Sequence, residues 1–354
     1  MRYIGSKKLL LGEIERVIDE NINDAKSFCD IFAGTACVGE YFKKKYKIIS
    51  NDLLYFSYCI QKAIIKNNSI PKFKELGFNP VEYFNNLHQD ELNDLPQEKR
   101  FCVNNYSPVG NRMYLNETNA LKIDYIRNKI ESWRKVLINE QEYFYLLAVL
   151  LEAIPFVSNI SGTYGAYNKF WDKRSLKDIV LKNIEIFDNK KENKTYNLDS
   201  NRLIRQISGD ILYIDPPYNK RQYSSNYHLL ETVARYDNPE LKGITGLREN
   251  DTKSDYCKKN YVLKTFEDLI SNAQFKHILV SYSTEGLMGV SDIEGVLKKY
   301  GKDYKMYEIK YRRFKSRGKC NSLKVEGNAQ LSYRGKCKQD DKLKELIFYI
   351  RKEV

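Results

Sequence analysis

Residues 26–52 read KSFCDIFAGTACVGEYFKKKYKIISND, and the order of side chains in this stretch decides the architecture. Lys26 to Phe32 is a short apolar run suited to a buried strand. The turn after it, Ala33-Gly34-Thr35-Ala36, is made of small residues, and a helix is expected from about residue 37 to 45. Residues 47–52 (KIISND) form a second short strand that ends in a carboxylate. Strand, small-residue turn, helix, strand is the βαβ unit of a doubly wound parallel sheet, an α/β fold whose ligands sit at the carboxyl ends of the strands. Upstream, residues 8–20 place Leu10, Leu11, Ile14, Val17 and Ile18 at helical spacing on one face. Downstream, the alternation resumes with a strand over 208–215, a helix over 265–275, a strand over 276–283 and a last strand over 344–350.

From about 56 to 190 the pattern changes to polar and aromatic helices, 119–138 and 140–153, followed by the loop SNISGTYGAYNKFWDKRS (158–175). The expected division is a sheet domain made of residues 1–55 and 190–354, interrupted by a mainly helical insertion, 56–189, with its own small core.

Composition narrows the class. Hydrophobic residues are 42% and charged residues 30% of the 354, which fits a globular chain rather than a disordered one. No apolar run reaches the roughly 18 residues of a membrane span, and the basic start MRYIGSKKLL has no secretory core, so the expected address is the cytoplasm. The seven cysteines form no CxxC pair, and with three histidines no metal site or disulfide framework is expected. The net charge of +13 suits a polyanionic partner, although a composition rich in Lys, Asn, Ile and Tyr also follows from AT-rich coding.

The sharpest motif is Asp215-Pro216-Pro217-Tyr218, directly after the apolar run GDILYI. Prolines cannot continue a strand ladder, and here they fix the loop at the ligand-binding edge of the sheet. An exocyclic adenine amine is a poor nucleophile because its lone pair is delocalised into the ring. A carboxylate at Asp215 and the carbonyl of Pro216 can accept both amine hydrogens and direct the lone pair at an electrophile, while Tyr218 offers a face to an extruded base. The second motif is Asp30-Ile31-Phe32-Ala33-Gly34, where small residues let backbone approach a ligand. Asp52, 22 positions after Asp30, stands where dinucleotide sites hold ribose hydroxyls; a helix N-cap is the plain alternative.

Together these residues resemble the Dam-like, alpha-group DNA adenine-N6 methyltransferases, in order as well as in wording: RYIGSK, the FAGTA loop, an acidic second strand, a long insertion, then DPPY. The resemblance implies the seven-stranded, Rossmann-like mixed sheet of S-adenosylmethionine (AdoMet)-dependent methyltransferases, with helices on both faces. It implies that Tyr3 and Lys7 contact the cofactor, that Asp30 to Gly34 wrap its methionine part, and that Asp52 holds its ribose. Asp199, in YNLDSNRLI, is similar to the family's acidic residue beside the cofactor adenine, and is equally readable as an N-cap. The family loop is usually F-x-G-x-G. Here Ala36 stands at the second glycine, and because alanine adopts positive φ only at a cost, a slightly different turn is expected.

The resemblance also makes the insertion a target-recognition region for double-stranded DNA. Its candidate DNA contacts are Tyr164, Tyr167, Asn168, Lys169 and Arg174, with Arg312, Arg313 and Lys315 from the basic run KYRRFKSRGK (310–319). A polar loop over a helical subdomain and a solvated basic hairpin are the alternatives. The expected activity is adenine-N6 methylation by the modification enzyme of a restriction system, with a separate cognate endonuclease encoded nearby. Cytosine-N4 and RNA adenine transfer share the amine chemistry, and a catalytically idle DNA-binding protein is the reading from another class.

Overall fold

The computed structural model describes residues 4–249, 253–309 and 344–353. Tyr3, Arg312, Arg313 and Lys315 lie outside the described residues.

The opening stretch folds as its side chains dictate. A single 3₁₀ turn, Lys7–Leu9, leads into helix α1 (Leu11–Asn21), whose Ile14, Val17 and Ile18 are buried. Strand β1 (Ser27–Asp30), helix α2 (Cys37–Phe42) and strand β2 (Lys47–Asn51) follow. Strand β3 (Lys194–Tyr196) pairs with β2, and β4 (Ser208–Ile214) pairs with β1. The sheet is completed by β5 (Gln274–Ser283), β6 (Lys302–Ile309) and β7 (Glu345–Arg351). Among the described residues its seven strands run in the order β3-β2-β1-β4-β5-β7-β6. The first five are parallel, and β7 lies antiparallel between β5 and β6. A two-residue ribbon, Leu241–Lys242 with Leu247–Arg248, stands apart.

Side chains alternate across this sheet with the period of two that a pleated strand imposes. Phe28, Ile48, Ile211 and Tyr213 face one core; Cys29, Ile49, Leu212 and Ile214 face the other. The second core is filled by helices α7 (Val262–Asn272) and α8 (Val290–Tyr300), through Phe266, Leu269, Ile270, Ile293 and Leu297. The first is filled by α1 and α2, by α3 (Tyr55–Gln61), α4 (Glu117–Arg134) and α5 (Glu140–Val157) of the insertion, and by α6 (His228–Arg235), which follows β4.

The insertion therefore does not build the separate small core expected of it. Leu146, Leu147, Leu150 and Ile154 of the almost wholly buried α5 belong to the same apolar cluster as Phe28 and Tyr213 of the sheet. Only a minor patch, Leu92, Leu95 and Leu121, is separate. The physical reason is that α5 is apolar all round, and such a helix needs cover on every side.

Other departures are local. The helix expected over 265–275 runs Val262–Asn272, because Gln274 already pairs into β5. Strand β6 and helix α8 were not anticipated. Strand β6, KDYKMYEI, is a sheet edge with mostly exposed residues, so it lacks the apolar signature of a central strand. Ala36, expected to avoid positive φ, adopts it (φ 63°, ψ 16°) as the residue preceding α2, with its Cβ in the core. The hydrogen bonds Ala36 N to Ala33 O (2.7 Å) and Glu40 N to Ala36 O (2.8 Å) hold it there, against a cost of about 1–2 kcal/mol.

Helix α3 starts immediately after the loop that carries Asp52, and its first amides are satisfied from a distance. Glu231 of α6, with only 3% of its side chain exposed, accepts from Tyr55 N (3.0 Å) and Phe56 N (2.9 Å), and pairs with Arg235 (2.7 Å). Glu231→Ala leaves two amides without their acceptor and is expected to lower the unfolding free energy by about 2–3 kcal/mol. Urea denaturation followed by circular dichroism measures this, and a loss below about 0.5 kcal/mol would contradict the assignment.

Candidate active site

The parallel register of β1 on β4 sets Asp30 beside Tyr213, and Ile31 N donates to Tyr213 O (3.3 Å). The loops that leave these strands, 31–36 and 215–218, thus emerge side by side at the carboxyl edge. Between them and the loop after β2 lies one cleft, whose walls include Phe32, Asp52, Asp199, Asp215, Pro217 and Tyr218. The two sequence motifs and both isolated carboxylates meet there.

The N-terminal segment lines the cleft through Ile4 and Gly5 and buries Lys7 beside Asp215. The Lys7 side chain is 4% exposed, with Nζ 3.2 Å from Asp215 Oδ1 and 3.4 Å from Glu345 Oε2 at the start of β7. Burial opposes the charge on Lys7, but Asp215 and Glu345 outweigh it and hold the ammonium protonated well above its ordinary range. Asp215 itself is pushed up to about 6, because burial outweighs the pull of Lys7. The same ammonium lies 5.6 Å from the centroid of the Tyr218 ring, and Leu287 N donates to Tyr218 O (3.1 Å), which pins the end of the proline loop.

Gly5 explains why the N-terminal segment can pass so close. It has φ +76°, and a Cβ there would lie 3.2 Å from Tyr223 Oη and 3.7 Å from Tyr218 Oη. Ile4 N donates to Tyr227 Oη (2.7 Å), one helix turn further on. Tyr223, Gln222 and Cys257 also line the cleft and were not singled out from sequence; Gly5 within RYIGSK carried the one usable signal. Burial raises the Cys257 thiol to about 11, so it stays protonated and is no nucleophile.

Asp52 accepts from Gly34 N and Leu54 N, both at 2.8 Å, tying the cofactor-type loop to the start of the next helix. Burial raises it to about 6. Asp199 caps the short helix Ser200–Leu203 by accepting from Asn201 N (3.0 Å) and Arg202 N (3.1 Å), and it lines the cleft as well. Its N-cap role is therefore realised by a residue that also stands in the cleft wall. Ile31 and Ala33 are buried, so what the loop offers outward is its backbone and Phe32. Asp30 is 1% exposed beneath the loop, near Gly39; neither carboxyl oxygen has a well-formed hydrogen bond among the described residues, and the amides of Gly39 and Phe32 favour its charge only weakly. Burial first, then the charges of Asp215 and Asp52, push it well above the usual carboxylate range.

The loop 158–175 lies beside this cleft but presents fewer of its side chains than expected. Tyr164 is corrected outright as a DNA contact: it is 1% exposed, its hydroxyl meets Ser158 Oγ (3.0 Å), and it supports the loop from inside. Tyr167 is half-buried with its edge on Tyr114 (5.0 Å), Asn168 is bound to Asn159, and Arg174 donates to Ser158 O and Ile160 O. Lys169 is exposed, next to a Phe170 that is 86% exposed.

The raised carboxylates fix the sign of a pH effect. A carboxylic acid whose folded pKa exceeds its unfolded value stabilises the fold fully below the unfolded pKa, about 4, and that contribution is lost as pH rises through the folded pKa. With Asp215 and Asp52 near 6 and Asp30 raised as well, the ligand-free protein is expected to lose stability between about pH 4 and 7. Asp30→Asn is expected to flatten that slope in thermal melts across this range, and an unchanged slope would contradict the placement of Asp30.

Comparison with known proteins agrees with this geometry. Residues 3–295 match the family model described as D12 class N6 adenine-specific DNA methyltransferase. The chain is 49% identical over 365 residues to the Type II methyltransferase M.FokI of Planomicrobium okeanokoites, covering 100% of this chain and 53% of that protein. It is 45% identical to the Modification methylase StsI of Streptococcus sanguinis, covering 100% of this chain and 52% of that protein. It is 40% identical over 342 residues to the Type II methyltransferase M.NlaIII of Neisseria lactamica, covering 94% of this chain and 98% of that protein. The chain thus spans about half the length of the first two relatives and nearly all of the third.

Proposed function

Since the chain belongs to the D12 class N6 adenine-specific DNA methyltransferase family, we propose that it methylates the N6 amine of an adenine extruded from duplex DNA. It does so as the modification enzyme of a restriction system, acting in the cytoplasm alongside a separately encoded endonuclease. The order of its motifs, N-terminal basic segment and FAGTA loop before the insertion and DPPY after it, supports the alpha-group arrangement within that family.

The observation that carries the reading is the shared cleft, lined by Phe32 of the 30–36 loop, Asp52 and Asp199 together with Asp215–Tyr218. The residues present suit AdoMet: a buried Asp30 without a well-formed hydrogen bond among the described residues lies under the loop, and the cleft is lined by acidic side chains that complement a cationic ligand. Phe32, Asp52 and Asp199 would hold it. When bound, AdoMet supplies an electrophilic methyl group on a sulfonium.

The remaining work falls to the chain. Asp215, oriented by Lys7, accepts one hydrogen of the adenine amine, and the Pro216 carbonyl accepts the other. This draws the nitrogen lone pair out of conjugation and aims it across the cleft. As the amine becomes positive, the Asp215 carboxylate stabilises the charge and takes up the proton. Tyr218 and Tyr223 give the base an aromatic wall. The Lys7 contact keeps Asp215 ionised above about pH 6, the state that can accept.

Incubating the purified chain with methyl-labelled AdoMet and methylation-free DNA, then digesting to nucleosides, is expected to place label in N6-methyldeoxyadenosine. Asp215→Ala is expected to lower transfer by about 10²–10³-fold or more, a loss well beyond any change in AdoMet affinity. Label in N4-methyldeoxycytidine would replace the base assignment. No label in any DNA would overturn the function.

A further inference from the structure

Just beyond the proline loop, Arg221 occupies an unusual seat. Its guanidinium lies so close over Gly165 that a Cβ built on that glycine would fall 1.6 Å from Nη2, 2.5 Å from Cζ and 3.2 Å from Nη1. Gly165 is not among the residues with positive φ, so its backbone does not require glycine. The guanidinium does.

The shelf under Arg221 is rigid. The Tyr164 amide donates to Asn226 O (2.8 Å), and the Tyr164 carbonyl takes Tyr114 Oη (2.6 Å) and His228 Nε2 (2.8 Å). Burial lowers His228 to about 4, so that ring stays neutral and the arrangement persists at physiological pH. Arg221 is exposed, and its side chain makes no hydrogen bond or ion pair with any described residue. An arginine seated over a fixed backbone, with its side-chain donors unspent on any described residue, is preorganised for an external anion.

We propose that Arg221 binds a backbone phosphate of the DNA strand that carries the target adenine, next to the extruded nucleotide, and that Gly165 is glycine to seat it. Arg221 is thus a positioning residue that joins the insertion loop to the catalytic loop, three positions after Tyr218. The inference rests on the DNA-methyltransfer reading above.

The test compares wild type, Arg221→Ala, Arg221→Lys and Gly165→Ala for duplex affinity across a salt series, AdoMet affinity, melting temperature, and the split between KM for DNA and kcat. Arg221→Ala is expected to weaken binding about 10- to 100-fold on cognate and unrelated duplexes alike. It should also reduce the log–log salt slope by about one, with AdoMet affinity and melting temperature unchanged. Gly165→Ala, which keeps the charge but displaces it, is expected to raise KM for DNA likewise, and Arg221→Lys to recover part of the affinity. A loss confined to the cognate sequence, with an unchanged salt slope, would make Arg221 a base reader and overturn the proposal. So would a wild-type protein that transfers methyl groups while Arg221→Ala matches it in affinity and slope. A wild type that binds no duplex would sink the functional reading and this inference together.

Discussion

One buried ammonium among several carboxylates is the constraint on which the site depends. Lys7 lies within ion-pair distance of Asp215 and Glu345, and the charges of Asp215 and Asp52 add to burial in raising the protonation of Asp30. Removing charges from water is costly unless they are paired. Here the carboxylates outnumber the cation, but burial is the larger effect: it outweighs the pull of Lys7 on Asp215 and raises Asp52 as well, so both sit near 6. The protein holds this arrangement by tying it to rigid elements: the N-terminal segment through Lys7, the central strand β4 through Asp215, and the antiparallel strand β7 through Glu345. A ligand bearing positive charge relieves the imbalance, which is the electrostatic sense in which the cleft suits a sulfonium cofactor.

The same economy of anchoring extends to the insertion. Its helices share the core of the sheet, so the loop 158–175 is not carried on an independent module. Tyr114, Tyr164 and His228 lock that loop to the segment following the proline motif. Burial of Tyr164 costs the loop one exposed aromatic but fixes the backbone beside the cleft, so side chains there are presented from a set position. The insertion loop and the proline motif are joined through packing rather than across a hinge.

Much of this was legible in the sequence, for physical reasons that differ by element. The βαβ unit at 26–52 could be read because a buried parallel strand is apolar and its turn must be small. Asp215–Tyr218 could be read because prolines at a strand end have few structural uses. Glu345 could not, since a lone glutamate opening an apolar strand looks like an edge residue until Lys7 is seen beside it, 338 positions away. Glu231 was hidden likewise, its targets being backbone amides of another helix. Tyr164 misled because aromatic and polar residues in one loop suit a DNA surface and a hydrogen-bonded interior equally well. Strand β6, polar at the sheet edge, carried no apolar pattern to find.

The central claim, that the cleft carboxylates carry excess negative charge which a cationic ligand relieves, is tested most directly by calorimetry of AdoMet binding to the wild-type chain. Titrations in buffers of different ionisation enthalpy, from pH 5 to 8, count the protons exchanged. Carboxylates near 6 in the free protein that become fully ionised in the complex predict proton release around pH 6, with affinity tightening as pH rises from 5 to 7. Binding with no proton release and a flat affinity across that range would contradict the account.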